Sequence, residues 1–127
     1  MFSHIMIGSN DLDRSKRFYD ALFAAIGDKP GRTDSKGRLI YARNGATFMV
    51  TKPIDGEPAH HANGGTIGFA LDNEGAVEAW HKAGTENGGQ AIEDPPGPRP
   101  MPFGALYLAY LRDPDGNKLC GLYRVPG

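Results

Sequence analysis

Histidine and cysteine are the side chains of this sequence best suited to metal binding or nucleophilic chemistry. The chain has four histidines, His4, His60, His61 and His81, and a single cysteine, Cys120. Imidazole and thiolate groups bind zinc well, and a thiolate is also a nucleophile. The sequence contains neither a Ser-His-Asp order nor a glycine-rich phosphate loop. Any reactive site therefore has to be assembled from side chains far apart in the chain.

The surroundings of the histidines differ. His60 and His61 lie in a stretch flanked by proline and glycine, which predicts exposure to solvent, although a linker crossing a pocket would bring one of them to a ligand. His81 follows Trp80 in a helical pattern and is predicted to border the core. His4 opens a strand, where the simplest interpretation is a histidine that forms a hydrogen bond inside the fold and binds no metal.

Composition excludes several classes of function. Fourteen basic and fifteen acidic residues give the 127-residue chain a net charge of −1, and no basic stripe indicates a nucleic-acid partner. No apolar run approaches the length of a membrane span, and the first residues do not resemble a signal peptide. The lone Cys120 is typical of a reducing compartment, and it is read first as a small buried apolar residue. The sequence predicts a cytoplasmic protein.

A strand followed by an amphipathic helix opens the chain. The strand covers residues 4–8, and Asn10 is predicted to cap the helix. Apolar residues then recur at the spacing of one helical face, at Leu12, Phe18, Tyr19, Leu22, Phe23 and Ile26. Gly27 is a natural residue to follow the end of a helix.

The same order returns 62 residues later. A second strand is predicted over 66–71, and Asp72 or Asn73 is predicted to cap a helix that ends at Gly88-Gly89. At this fixed offset Ile5 falls on Ile67, Ile7 on Phe69, Phe18 on Trp80 and Gly27 on Gly89. The superposition of strand, cap, helix and end predicts an internal repeat.

Each helix is followed by strand-like runs. These cover 38–42 and 46–51 after the first helix and 105–111 and 118–123 after the second, with weaker candidates at 29–33 and 90–93. The result is an α+β fold of paired βαβββ units, residues 1–55 and 64–127, in one domain over 1–127. The proline-rich insert 94–104 has no counterpart in the first unit and is predicted to be a lid, a binding edge or an interface segment.

The whole chain resembles the vicinal-oxygen-chelate superfamily (glyoxalase, bleomycin resistance protein and dioxygenase). One stretch that carries the resemblance is His4 to Tyr19, with its Asp-Leu, Ser and Phe-Tyr, and the other is Leu111 to Cys120, with its Asp-Pro-Asp-Gly-Asn turn. The resemblance implies a curved mixed sheet that forms a cup, helices on its outer face, and commonly a homodimer. It does not fix the reaction, because one fold serves many activities.

Metal-dependent members of the family imply ligands at four positions of this chain, which strand alternation places on the cup face: His4, Met49, Thr66 and Cys120. His4 fits the family pattern. Thr66 is a weak neutral ligand, Met49 a soft one, and Cys120 stands where the family has a carboxylate. The predicted centre is therefore incomplete, with His4 and Cys120 left as possible ligands for zinc or nickel.

A pocket for a small, partly apolar organic molecule is the main functional expectation. Its candidate lining residues are His4, Met6, Met49, Thr66, Tyr110 and Cys120. The alternative is that these side chains fill a closed core or a dimer seam.

Four hypotheses remain open from the sequence. The leading one is a glyoxalase-like protein that binds an organic ligand without a complete metal centre and without an assigned reaction. The rivals are a metal-dependent lyase or isomerase of the lactoylglutathione-lyase type, a drug-sequestering resistance protein that uses acids such as Glu93 and Asp94, and a redox-active Cys120. A small-molecule ligand and a homodimer are the expected partners, without nucleic acid or membrane.

Overall fold

A computed structural model describes residues 1–126 and confirms the two βαβββ units. The first unit consists of β1 (His4–Gly8), α1 (Leu12–Ala24), β2 (Arg32–Thr33), β3 (Leu39–Arg43) and β4 (Ala46–Thr51). The second consists of β5 (Ile67–Ala70), α2 (Glu74–Glu86), β6 (Gln90–Met101), β7 (Gly104–Arg112) and β8 (Lys118–Arg124). Each boundary of α2 lies 62 residues after that of α1, which is the repeat distance found in the sequence.

The strands form two mixed four-stranded sheets. Their orders are β1-β4-β3-β2 and β5-β8-β7-β6. In each unit the first strand pairs in parallel with the last, and the other pairings are antiparallel. Because β1 and β5 are terminal strands in these orders, each leaves one strand edge outside its own sheet.

The helix starts show one departure from expectation. The predicted cap of α1 was Asn10, but the cap is Asp11, whose carboxylate accepts from the backbone N–H of Arg14 at 3.0 Å. The Asn10 side chain instead pairs with Ala59, accepting from its N–H at 2.7 Å and donating to its carbonyl at 2.9 Å. In α2 the cap is Asn73, one of the two residues expected.

One hydrophobic core joins the two units. Phe18 and Tyr19 of α1 are buried in the same cluster as Trp80 of α2 and Leu111 of β7. Phe69 of β5 also reaches the first unit: its ring centroid lies 5.3 Å from that of Phe48 and 5.7 Å from that of Phe23. The units are therefore packed as one body around the helix faces of both sheets.

The proline-rich insert is part of a strand and not a loop. β6 runs through it, with a register shift between Ile92 and Gly97, and Pro98 and Pro100 face Tyr107 and Ala105 of β7. Proline is tolerated there because β6 is an edge strand, whose outward N–H groups are not needed by a neighbour. Neither helix of residues 1–126 is long and apolar enough to cross a membrane.

Candidate functional site

β1 and β5 each have one free strand edge and both contribute residues to the wall of one cavity, and the space bounded by these two edges is called the seam. In β1 the backbone groups of the odd-numbered residues hydrogen-bond to β4. The bond from the Ser9 N–H to the Thr51 carbonyl, at 2.8 Å, continues this pattern. In β5 the Leu71 N–H likewise bonds the Leu122 carbonyl at 2.8 Å. Because backbone groups alternate in direction along a strand, the even-numbered residues of both strands present theirs to the seam.

A side chain of the opposite unit closes each end of the seam. Asn117 of the second unit donates from Nδ2 to the Gly8 carbonyl of β1 at 3.2 Å. Arg43 of the first unit donates from Nη2 to the Ala70 carbonyl of β5 at 3.4 Å. Gly8 and Ala70 are equivalent positions of the repeat, whereas the two donors are not, since Arg43 falls on Ala105 at the same offset.

A cavity of about 480 Å³ opens at the Arg43 end of the seam. It lies between β1, the β3–β4 hairpin and β5. Its lining consists of Met1, Phe2, His4, Ile5, Phe23, Tyr41, Arg43, Asn44, Gly45, Ala46, Thr47, Phe48, Ile67, Gly68, Phe69 and Ala70. The wall is mainly aromatic and aliphatic, with a few polar groups at one side, as is typical of small-molecule sites.

The charged side chain of this wall, Arg43, is already paired. Arg43 contacts the Asp28 carboxylate at 2.9 Å and the Asp72 carboxylate at 3.5 Å. Tyr41 donates its hydroxyl hydrogen to Asp20 at 2.7 Å, and its burial, followed by that bond, raises the pKa of the phenol. His4 Nδ1 is 2.8 Å from the Ser3 hydroxyl. The Arg43 guanidinium therefore offers a ligand no unpaired charge, and the other cationic group of the lining is the amino terminus of Met1.

The structure separates the six residues nominated from the sequence. His4 lines the cavity, whereas Met6 and Met49 are register partners on neighbouring strands outside its lining. Tyr110 and Cys120 are partners in the second sheet, and Thr66 is exposed just before β5 begins. Of the six, His4 alone is in the cavity lining.

The donor set expected for a metal does not fit one. Over residues 1–126, no three His, Cys, Asp or Glu side chains converge in an arrangement that would hold an ion. His4 is exposed, whereas the Cys120 side chain is buried in a small apolar cluster with Leu106 and Leu108. A thiol in such surroundings resists the deprotonation that metal binding requires.

Cys120 has neighbours that could affect its chemistry. Burial raises the pKa of its thiol, a bond from the Tyr110 hydroxyl partly opposes this, and the Glu93 charge raises the pKa further. Lys118 forms an ion pair with Glu93 and lies 4.7 Å from the centre of the Tyr110 ring. The net effect favours the neutral, poorly nucleophilic thiol.

The remaining nominated groups lie elsewhere. His60 and His61 are exposed, and His81 is half-buried on α2, where burial lowers the pKa of its imidazole. Glu93 and Asp94, the acids considered for binding a cationic drug, are not part of the cavity lining. No acidic side chain lines that wall.

Sequence reasoning missed most of the cavity. Phe23 was predicted on the apolar face of the first helix, Phe48 and Phe69 were predicted in strands, and neither these three nor Arg43 were nominated for the pocket. The position of Arg43 beside the Asn44-Gly45 turn was visible, but its reach across to Ala70 depends on how the two units pack.

Comparison with known proteins was consistent with this architecture. A family model described as Glyoxalase/Bleomycin resistance protein/Dioxygenase superfamily matches residues 1–120. The crystal structure of a glyoxalase/bleomycin resistance protein from Albidiferax ferrireducens T118 is 52% identical, covers 97% of this chain and 98% of its own, and superposes with a TM-score of 0.92. No curated protein gives a significant match.

More distant structures share the fold alone. A glyoxalase/bleomycin resistance protein/dioxygenase family enzyme from Burkholderia phytofirmans PsJN is 15% identical over 97% of this chain and 98% of its own, with a TM-score of 0.71. The lactoylglutathione lyase of Agrobacterium tumefaciens is 22% identical over 97% of this chain and 92% of its own, with a TM-score of 0.64.

Proposed function

The chain belongs to the Glyoxalase/Bleomycin resistance protein/Dioxygenase superfamily, and from that premise we propose that it binds a small, uncharged organic molecule in the seam cavity, without a complete metal centre. The observation that carries the proposal is the aromatic cavity between β1 and β5. Phe23, Phe48 and Phe69 belong to its apolar wall, and Arg43 and His4 are among its polar groups.

The balance of forces favours an apolar ligand. Burial of each 100 Å² of apolar ligand surface contributes about 2.5 kcal/mol, more than the roughly 1 kcal/mol net of a typical hydrogen bond. Arg43 is already paired with Asp28 and Asp72, so an anionic ligand would have to compete with two carboxylates for it. The cavity is accordingly suited to a neutral molecule with one or two oxygen or nitrogen atoms.

Gly68 offers a direct test of the cavity. It lines the wall, and a side chain added there would meet no atom within 4 Å of its Cβ. Gly68→Ile should therefore narrow the cavity from the face of β5 opposite Phe69 without straining the strand, whereas Gly68→Ala should leave it open. The probe is the neutral fluorescent compound N-phenyl-1-naphthylamine.

We expect the probe to bind the parent protein and Gly68→Ala with similar affinity, and Gly68→Ile at least about tenfold more weakly. Thermal unfolding of both variants checks that they remain folded. Equal binding by a folded Gly68→Ile, or no binding by the parent protein, would show the proposal to be wrong.

Metal content separates the proposal from the lyase alternative. After incubation with zinc or nickel and dialysis, we expect elemental analysis to find far less than one ion per chain, because only His4 of the four family positions is an accessible strong ligand. One bound ion per chain that disappears in His4→Ala would instead favour a metal-dependent lyase or isomerase.

A further inference from the structure

The two walls of the seam carry unused backbone groups. By the alternation described above, His4 and Met6 of β1 and Gly68 of β5 direct both N–H and C=O toward the seam. Within residues 1–126 the two sheet ladders do not use these groups, and the contacts from Asn117 and Arg43 occupy only the carbonyls of Gly8 and Ala70.

Two of these residues also line the cavity, one on each side. His4 belongs to β1 and Gly68 to β5, so a ligand between them meets two free strand edges at once. Free strand edges bind partners through main-chain hydrogen bonds, in which an N–H and a C=O are matched on each side. A ligand that only fills the aromatic wall would leave these groups without partners as it displaced their water.

A secondary amide has the geometry that this arrangement requires. In a trans amide the C=O and N–H point in opposite directions within one plane. One such group lying along the seam can accept a hydrogen bond from one strand and donate to the other. An ester or a ketone of the same shape can only accept.

Resting on the proposed function, we propose that the ligand is an uncharged secondary amide carrying an aromatic group. Its amide is held between the backbone edges of β1 and β5. Its ring lies against Phe23, Phe48 and Phe69. We expect the ligand to be uncharged because Arg43 is already paired with Asp28 and Asp72.

Three isosteric compounds test this assignment: N-benzylacetamide, benzyl acetate and 4-phenylbutan-2-one. They differ only in whether NH, oxygen or CH2 precedes the carbonyl. The amide is the most strongly hydrated of the three, so a purely apolar site would bind it most weakly. Recognition by both strand edges reverses that order, and we expect the amide to bind about threefold to tenfold more tightly than the ester and the ketone.

Affinities are measured by titration of the ¹⁵N-labelled protein followed by NMR. The backbone N–H signals of Gly68 and of His4 or Met6 should shift more with the amide than with the ester. Tighter binding of the ester and ketone in the same cavity would overturn the amide assignment but leave the proposed function standing. If all three compounds no longer bind Gly68→Ile but still bind Gly68→Ala, the binding site is the cavity. If none of the three binds the parent protein, both proposals are overturned.

Discussion

The buried carboxylate of Asp113 is the most heavily bonded side chain of the β7–β8 turn. It accepts from the Tyr19 hydroxyl at 2.6 Å and from Asn117 Nδ2 and the backbone N–H groups of Asp115 and Asn117 at 2.9 Å each. Tyr19 lies on α1 of the first unit and is fully buried. The bond therefore joins the two units inside the core, and burial raises the pKa of both groups.

Removal of the single hydroxyl group of Tyr19 should lower the stability of the fold markedly. Tyr19→Phe leaves a buried carboxylate short of one donor, and we expect the free energy of unfolding to fall by about 1–3 kcal/mol in urea titration. Tyr107→Phe is the matched control, because its hydroxyl bonds the exposed Glu78, and its effect should stay within about 0.5 kcal/mol. Equal losses in the two variants would contradict the importance assigned to the buried bond.

The thiol of Cys120 should be slow to react in the folded protein. It is 5% exposed, and burial raises its pKa, so both its accessibility and its thiolate fraction are low at neutral pH. We expect the reaction with Ellman's reagent at pH 7.5 to be at least about tenfold slower than that of free cysteine, and to reach the free rate in denaturant. A native rate above that of free cysteine would revive the redox hypothesis.

The sequence predicts side-chain positions that depend on local geometry, but not contacts between the two units. Strand alternation placed His4 on the predicted cup face because it depends only on local geometry. It could not find Arg43 as a cavity residue, nor the pairing of Asn10 with Ala59, because both depend on residues that meet only after the units have packed. The roles of all six nominated pocket residues stay predictions.

At the scale of elements, Asp20 ties α1 to the strands that follow it. Its carboxylate accepts from the Gly31 N–H at 2.9 Å and from the Tyr41 hydroxyl at 2.7 Å, and it pairs with Lys16. Burial acts to raise the pKa of Asp20, but the bonds from Lys16, Gly31 and Tyr41 outweigh it and lower the pKa below the ordinary 3.8. A carboxyl group whose pKa is lower in the folded than in the unfolded state stabilises the protein at pH values above its unfolded-state pKa. This contribution is lost as the pH falls through the folded-state pKa.

This linkage predicts the acid sensitivity of the fold. When the pH is lowered from 7 to below about 4, the free energy of unfolding should fall less in Asp20→Asn than in the parent protein. The reason is that the asparagine amide is not protonated in this range, whereas the Asp20 carboxylate is. Urea unfolding across this range measures the difference in slope. Asp13→Asn, an exposed position of the same helix, is the control and should follow the parent curve more closely than Asp20→Asn does.

The elements themselves were largely predictable from the sequence. Both helices and the strands around the Asn44-Gly45 turn were found because their apolar spacing and turn residues are local signals. The strand conformation of residues 94–101 was not predicted, because prolines normally argue against a strand and only the position of β6 at the sheet edge makes Pro98 and Pro100 acceptable.

For the whole molecule, the shared core implies cooperative unfolding. The single tryptophan, Trp80, reports on the second unit, whereas Arg43 lies in the first and contacts Asp28, Asp72 and Ala70. Arg43→Ala should lower the stability seen by Trp80 fluorescence and by circular dichroism to the same extent, by about 1.5–3 kcal/mol. Arg17→Ala, at an exposed position of α1, is the control, and different midpoints from the two probes would indicate independently folding units.

The stretch between β4 and β5, residues 52–66, is the sole covalent connection between the two units, since neither unit shares another segment of chain. Its 15 residues act as a tether that keeps the two halves at an effective concentration of the order of millimolar. A protease cut near Gly56, in an exposed part of this tether, would convert the protein into a heterodimer of two fragments joined by the seam contacts and the common core. The stability of the cut protein would then depend on its dilution, as that of the intact chain does not.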